Sequence, residues 1–184
     1  MKILVTGYGP FFGQKNNPSQ QLLRELKRYR GPVELVLKEL PVEFLKIETA
    51  LSELDLTSFD RVLFFGVAGS RTKVSVENLA VNFRYCPKRP DNSGLSYEVA
   101  EKIEKAGPLA YESTLNCADL NDFLSESEVE SEVSFNAGTF VCNSTLYQGL
   151  RMMKGRGQCA FVHLPAKIDT KMLAKVLSRY FDHC

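Results

Sequence analysis

Three short apolar runs constrain this chain most: "KILVTG" at 2–7, "RVLFFGVA" at 61–68 and "CAFVHLP" at 159–165. Each has the length of a strand. The middle one is apolar throughout, as strands covered on both faces of a parallel sheet tend to be. Segments of helical period lie between them. "NPSQQLLRELKRY" starts with Asn17 as a helix cap and Pro18 at the first helical position, and it puts Leu22, Leu23 and Leu26 on one face. "EFLKIETALSEL" places Phe44, Ile47, Leu51 and Leu54 at helical spacing. "TKMLAKVLSRYFDHC" forms a terminal helix with Met172, Leu173, Val176, Leu177, Tyr180 and Phe181 inward. "VELVLKELPV" and "VSF" supply further strands, and "DLNDFLSES" a short helix followed by a solvated acidic connection. Strands alternating with helices predict an α/β fold: a three-layer α/β/α sandwich with a mainly parallel central sheet. With 184 residues and neither an internal repeat nor a linker, the expectation is one domain over 1–184.

Composition removes several function classes. A net charge of +1 gives no broad field for nucleic acid or an anionic membrane, so neither is expected as a partner. The apolar runs are too short to span a bilayer, and "MKILVTG" lacks the features of a signal peptide, so a cytoplasmic protein is expected. The five cysteines, Cys86, Cys117, Cys142, Cys159 and Cys184, are odd in number and show no CxxC pair. That argues against a disulfide framework and a structural zinc site. With two histidines in the chain, a catalytic metal site is hard to build, so neither metal nor cofactor is expected.

Ligands of open α/β sheets bind beyond the carboxyl ends of the strands. Four segments meet that rule: the loop after Gly7, "GVAGSR", "NAGTFVCN", and His163 with Pro165. "GYGPFFG" is not a dinucleotide loop, because Phe12 stands where the third glycine would be and Pro10 lacks an N–H. It offers aromatic surface instead. Cys142, Leu146, Leu150 and Met153 share one helical face, so Cys142 on its own reads as a core residue. His163 ends an apolar strand at the sheet's carboxyl edge. Glu77 lies among apolar residues in "KVSVENLAVN" and, taken alone, reads as an exposed glutamate on an amphipathic segment. Together the three supply a nucleophile, a base and an orienter. In the first turn of a helix, Cys142 would have its thiolate favoured by the helix dipole, and the free N–H groups there could hold an oxyanion.

Six segments, in order, resemble the pyroglutamyl peptidase I family of cysteine peptidases. "LVTGYGPFFG" followed by "NPS" is similar to the family's opening LxTGFxPFGG segment. "GVAGSRTKVSVENLAVN" is similar to the segment ending in ERxAxN, "RPDNSG" to IPDNxG and "AGPLAYESTL" to GPxAYxSTLP. "AGTFVCN" and "FVHLP" resemble the segments bearing the catalytic cysteine and histidine. The resemblance implies Glu77, Cys142 and His163 as the catalytic triad and no cofactor. It implies Tyr8, Phe11, Val67 and Phe140 as the substrate pocket, Val67 through nearby backbone, and Arg89 as a looser basic match beside the site. The implied substrates are peptides with an N-terminal pyroglutamate, split through a thioester, and the implied assembly is a tetramer. The departures are Tyr8 for phenylalanine, Phe12 for glycine, Asn78 for arginine, and a shortened connection after Pro165. They motivate one alternative, a catalytically weak or inactive binding protein on the same scaffold.

Overall fold

The computed structural model describes residues 1–11, 13 and 16–183; Phe12, and with it the expected change of loop path, lies outside them. Eight strands and five α-helices follow in chain order: β1 (Lys2–Tyr8), α1 (Pro18–Leu26), β2 (Glu34–Leu40), α2 (Phe44–Ser52), β3 (Arg61–Val67), β4 (Val74–Glu77), β5 (Leu79–Val81), β6 (Ala110–Glu112), α3 (Cys117–Glu126), β7 (Ser131–Ser134), α4 (Val141–Met153), β8 (Gln158–Leu164) and α5 (Thr170–Asp182). Six strands form one sheet in the order β2-β1-β3-β8-β4-β7, and β5 and β6 form a separate antiparallel pair. The β1–β2, β1–β3, β3–β8 and β4–β7 pairings are parallel, whereas β4 runs antiparallel to β8. The sheet is therefore mixed but mostly parallel, as the run pattern predicts.

Alternation along the strands divides the core into two layers. Ile3, Val5, Leu63, Phe65, Ala160, Val162 and Leu164 pack against α1, α3 and α5. Leu4, Val62, Phe64, Cys159 and Phe161 pack against α2 and α4. At 25 cal/mol per Å², full burial of each valine, leucine, isoleucine or phenylalanine among them contributes about 1.5–3 kcal/mol.

Four helices begin on a side-chain acceptor. Asn17, Asn116 and Asp169 cap α1, α3 and α5 from their own N-cap positions, and Asp91 accepts the Phe44 N–H of α2 at 2.8 Å. Helix α4 has Phe140 at its N-cap and no side-chain cap.

Some local expectations change. Met172, expected inward on α5, is 39% exposed, and Tyr180 is half-buried. Leu54 lies beyond the end of α2 and is half-buried. In the "VSF" strand, β7 ends at Ser134, and Phe135 is 65% exposed. The "KVSVENLAVN" segment is two strands in two different sheets, and "AYE" pairs with the second of them. Apolar alternation cannot reveal that switch, because both strands are covered on the side that would otherwise face water.

The end of β1 approaches the first turn of α1 closely. The Tyr8 N–H donates to Ser19 Oγ at 2.9 Å, and a Cβ built on Gly7 would lie 2.6 Å from the Ser19 carbonyl oxygen. Because that neighbour is backbone, Gly7→Ala should push α1 off the sheet and lower stability by about 1–3 kcal/mol. A urea midpoint equal to that of the parent protein would contradict this packing.

Candidate active site

His163 is the sixth residue of β8, where it is paired in register with Gly66 of β3 on one side and Ser75 of β4 on the other. Because β4 is antiparallel to β8, Glu77 stands opposite Phe161, diagonally across from His163 on the same face. A diagonal pair of this kind is within reach of a long side chain. Glu77 Oε1 lies 2.7 Å from His163 Nδ1. Glu77 has no exposed surface, and His163 is almost fully buried. The expectation of an exposed glutamate is thus overturned: β4 turns this residue into the sheet.

Burial works to raise the Glu77 carboxyl, but the hydrogen bond from His163, together with Ser134 and the charge of Arg71, outweighs it and holds the group below its ordinary value. An ionised carboxylate only accepts, so Nδ1 carries the proton and Nε2 is left as the acceptor nitrogen. Burial lowers His163, against the raising effect of Glu77, which keeps the imidazole neutral at rest.

Cys142 is the second residue of α4. Three features fix the helix start. Asn143 is fully buried; its Oδ1 accepts the Val81 N–H at 2.8 Å, and its Nδ2 donates to the Val81 and Phe83 carbonyls at 2.8 and 3.1 Å. The Tyr8 hydroxyl donates to Thr145 Oγ1 at 2.6 Å, and Thr145 Oγ1 donates to the Val141 carbonyl at 2.9 Å. The approach loop turns at Gly138, where φ is +76°, and the Gly138 N–H donates to Asn136 Oδ1 at 3.0 Å. In that left-handed region glycine carries no Cβ penalty. On the sheet side, a Cβ at Gly66 would come within 2.7 Å of the Phe161 ring and 3.1 Å of Cys142 Sγ, so the thiol occupies the room that Gly66 leaves.

The four strand-edge segments converge. A cavity of about 680 Å³ is lined by Phe11, by Val67 to Arg71, by Arg89, by Asn136 to Phe140, and by Cys142 and His163. Phe11, Val67, Arg89, Phe140 and Cys142 also border a recess of about 30 Å³ that reaches Tyr8 and Val42. The Phe11 and Phe140 ring centroids are 5.0 Å apart, and the Arg89 guanidinium lies over both rings at 5.4 and 5.1 Å. The recess has room for little more than a water molecule. All eight side chains singled out from the sequence border these two cavities or, for Glu77, bond to one that does. Asn78, which stands where arginine was expected, bonds Glu112 at 3.0 Å on the surface.

Sequence reasoning gave no role to Arg71. Its Nη1 is 2.7 Å from Glu77 Oε1, and its Nη2 donates to the Asn136 carbonyl at 2.7 Å. The signal available was the buried glutamate itself, which needs a cation, and a basic residue in a loop already assigned to the crevice. Among the described residues, no group of three or more His, Cys, Asp or Glu is arranged to hold a metal ion. The four described cysteines are free.

A thiol packed between a sheet and a helix start, beside a buried carboxylate–imidazole pair and an open groove, on an α/β/α sandwich, describes a hydrolase of the cysteine-peptidase kind. The family model for pyroglutamyl peptidase matches residues 1–177, and the chain belongs to that family of peptidases. The pyrrolidone-carboxylate peptidase of Thermococcus onnurineus is 36% identical over 169 residues, covering 90% of this chain and 84% of its own. That of Fusobacterium nucleatum is 36% identical over 173 residues, covering 89% and 78%. Among solved structures, the pyrrolidone carboxyl peptidase from Thermus thermophilus is 30% identical with a TM-score of 0.90, covering 99% of this chain and 100% of its own. The enzyme from Fervidobacterium islandicum is 26% identical, also with a TM-score of 0.90, and covers 100% and 97%.

The resting state of Cys142 differs from the helix-favoured thiolate expected of a first-turn cysteine. Cys142 as a residue is half-buried, yet the protein around its sulfur pushes the thiol up to about 12, with Arg89 and its own N–H pulling the other way and the Glu77 charge adding to the rise. A raised value leaves the thiolate scarce until the solution is alkaline. Alkylation of Cys142 by iodoacetamide, followed by peptide mass mapping, should keep accelerating up to about pH 10. A plateau at neutral pH would mark a preformed thiolate–imidazolium pair and contradict this assignment.

Proposed function

We propose that this chain hydrolyses the bond after an N-terminal pyroglutamyl residue of peptides, with Cys142 as nucleophile, His163 as general base and acid, and Glu77 as its orienter. One observation carries the reading. The buried Glu77–His163 pair and the Cys142 thiol share a groove with a small, aromatic-walled recess in a chain of the pyroglutamyl peptidase family.

The recess suits a lactam. Pyroglutamate carries no charged amine, and Tyr8, Phe11 and Phe140 present rings rather than charges. The Tyr8 hydroxyl is taken up by Thr145, so the ring borders the recess with its polar atom already bonded. Backbone near Val67 would pair the lactam N–H and C=O. Proline lacks that carbonyl, and leaving the partner unpaired costs about 1–3 kcal/mol. Entry of the ring requires the Arg89–Phe11–Phe140 stack to open. Arg89 borders both the groove and the recess, so a cation stands near the uncapped N–H groups of α4, where an oxyanion would form.

In the reaction His163 Nε2 takes the Cys142 proton as Sγ bonds to the acyl carbon. Collapse of the tetrahedral intermediate breaks the C–N bond, and the imidazolium gives its proton to the leaving amine. Water, deprotonated by His163, then splits the thioester to release pyroglutamate and restore the thiol.

Purified protein under reducing conditions should release the dye from a fluorogenic pyroglutamyl amide, and Cys142→Ser should lower kcat/KM by about a thousandfold or more. Undiminished activity in that variant would sink the mechanism. A wild-type protein that turns nothing over, yet protects Cys142 from alkylation when a pyroglutamyl aldehyde is added, would favour the binding-protein alternative. The recess offers a separate check. Phe140→Ala should raise KM for the pyroglutamyl amide, with a smaller effect on alkylation of Cys142 by iodoacetamide; equal loss of both would mean that the ring supports the helix start rather than the lactam.

A further inference from the structure

We infer that Arg71 is a positioning residue of the hydrolytic site, holding the Glu77 carboxylate ionised and aimed at His163 while tying it to the loop that leads into α4. The inference rests on the reading that Glu77, His163 and Cys142 act together.

Its geometry is that of a bridge. One guanidinium nitrogen meets Glu77 Oε1 at 2.7 Å and the other donates to the Asn136 carbonyl at 2.7 Å, six residues before Cys142. The Arg71 N–H closes a turn on the Ala68 carbonyl at 3.0 Å, so the side chain leaves from a fixed loop at the end of β3. Glu77 Oε1 is thus shared, with His163 Nδ1 and Arg71 Nη1 at the same 2.7 Å.

A carboxylate with no exposed surface needs compensation, and a neutral imidazole brings no charge. Arg71 is the one permanent cation in an ion pair with Glu77 among the described residues. It keeps Glu77 an acceptor before the reaction starts, which fixes the Nδ1–H tautomer of His163. It also takes part of the carboxylate's field, so His163 is not driven to the imidazolium form at rest. Both Glu77 and His163 are held low, with Arg71 contributing in each case. The other titratable or charged groups around this pair are Cys142 from α4, Cys117 from α3, whose Sγ is 3.6 Å from the Glu77 carbonyl, and Arg89 across the cavity.

Removing the cation leaves the Glu77 charge acting on His163 alone, so the imidazole gains proton affinity and its base form is lost at a higher pH. Arg71→Met should therefore lower kcat about tenfold or more with a smaller change in KM, and move the acid limb of the kcat/KM profile up by roughly one pH unit. Arg71→Lys, which keeps the charge but not the planar fork, should restore the limb and leave kcat reduced. If Arg71→Met does not fold, Arg71→Gln carries the same test with a donor left for Asn136. A merely structural arginine would lower the thermal midpoint and leave the limb in place, and that result overturns the proposal.

The imidazole of His163, followed by NMR as pH is varied, shows the same titration without substrate, and Arg71→Met should move it upward. A wild-type protein inactive on pyroglutamyl amides would defeat the proposed function, while the imidazole titration of the Arg71 variants would still decide the role of Arg71. An unshifted acid limb together with an unshifted imidazole titration overturns it.

Discussion

The carboxylate of Glu77, enclosed in the sheet, is the constraint around which the site is arranged. It cannot be left unpaired, because an isolated charge there would shift its proton equilibrium or unfold its surroundings. Two strands and one loop together bring partners to one of its oxygens, Oε1. The antiparallel entry of β4 beside β8 sets the diagonal from Glu77 to His163, and the loop between β3 and β4 returns Arg71 to the same oxygen. The reversal of β4, shared with its parallel neighbour β7, against β2, β1, β3 and β8 is what makes this possible. A parallel β4 would place its carboxyl end, with Glu77, at the mouth of the crevice in water. Reversed, it enters from the crevice and carries Glu77 inward to the level of Phe161.

Cys142 is positioned by a different set of bonds, and none of them involves the sulfur. Asn143 behaves as a strand partner to β5, taking the Val81 N–H and giving to two carbonyls. Thr145 accepts from Tyr8 and so ties the helix to the end of β1. Gly66 contributes an absence of side chain, which sets how closely α4 approaches the sheet. The tyrosine that departs from the family's usual phenylalanine is therefore built in: its hydroxyl has a partner on the helix that carries Cys142. A buried tyrosine without one would cost the desolvation of that hydroxyl.

What could be read from the residues follows what each signal physically reports. Strand runs such as "RVLFFGVA" report burial on both faces, so the parallel centre of the sheet was legible. The cap at Asn17 and the apolar face of α4 were legible because capping and periodicity are local. Glu77 was not legible alone: its neighbours are apolar whether it points in or out, and a register set by β8, more than 80 positions along the chain, decides between the two. It gained an expected role only beside Cys142 and His163, and the ordered family motifs then implied the triad. Arg71 and Asn143 stood within quoted motifs, yet their roles depend on partners in other elements. Met172 was misassigned because the stripe of α5 is wider in sequence than the strip of sheet it covers, and the residue at its margin stays in water.

Burial also decides how the charge of the site is distributed over the proposed reaction. The cysteine would be assisted by a helix start in a solvated cleft, but here the sheet, Phe161 and the recess wall surround it, and loss of water outweighs the helix end. A resting site of neutral thiol, neutral imidazole and one compensated carboxylate matches an uncharged lactam, since neither partner must shed a charged shell on binding. In the proposed reaction charge separates only as the Cys142 proton moves to His163; Glu77 is then set against a new imidazolium, and the α4 N–H groups, with Arg89 nearby, against a new oxyanion. Groups that interact more strongly with the transition state than with the ground state are the ones that accelerate a reaction. A site that kept a permanent thiolate–imidazolium pair would spend part of that interaction before the substrate arrived.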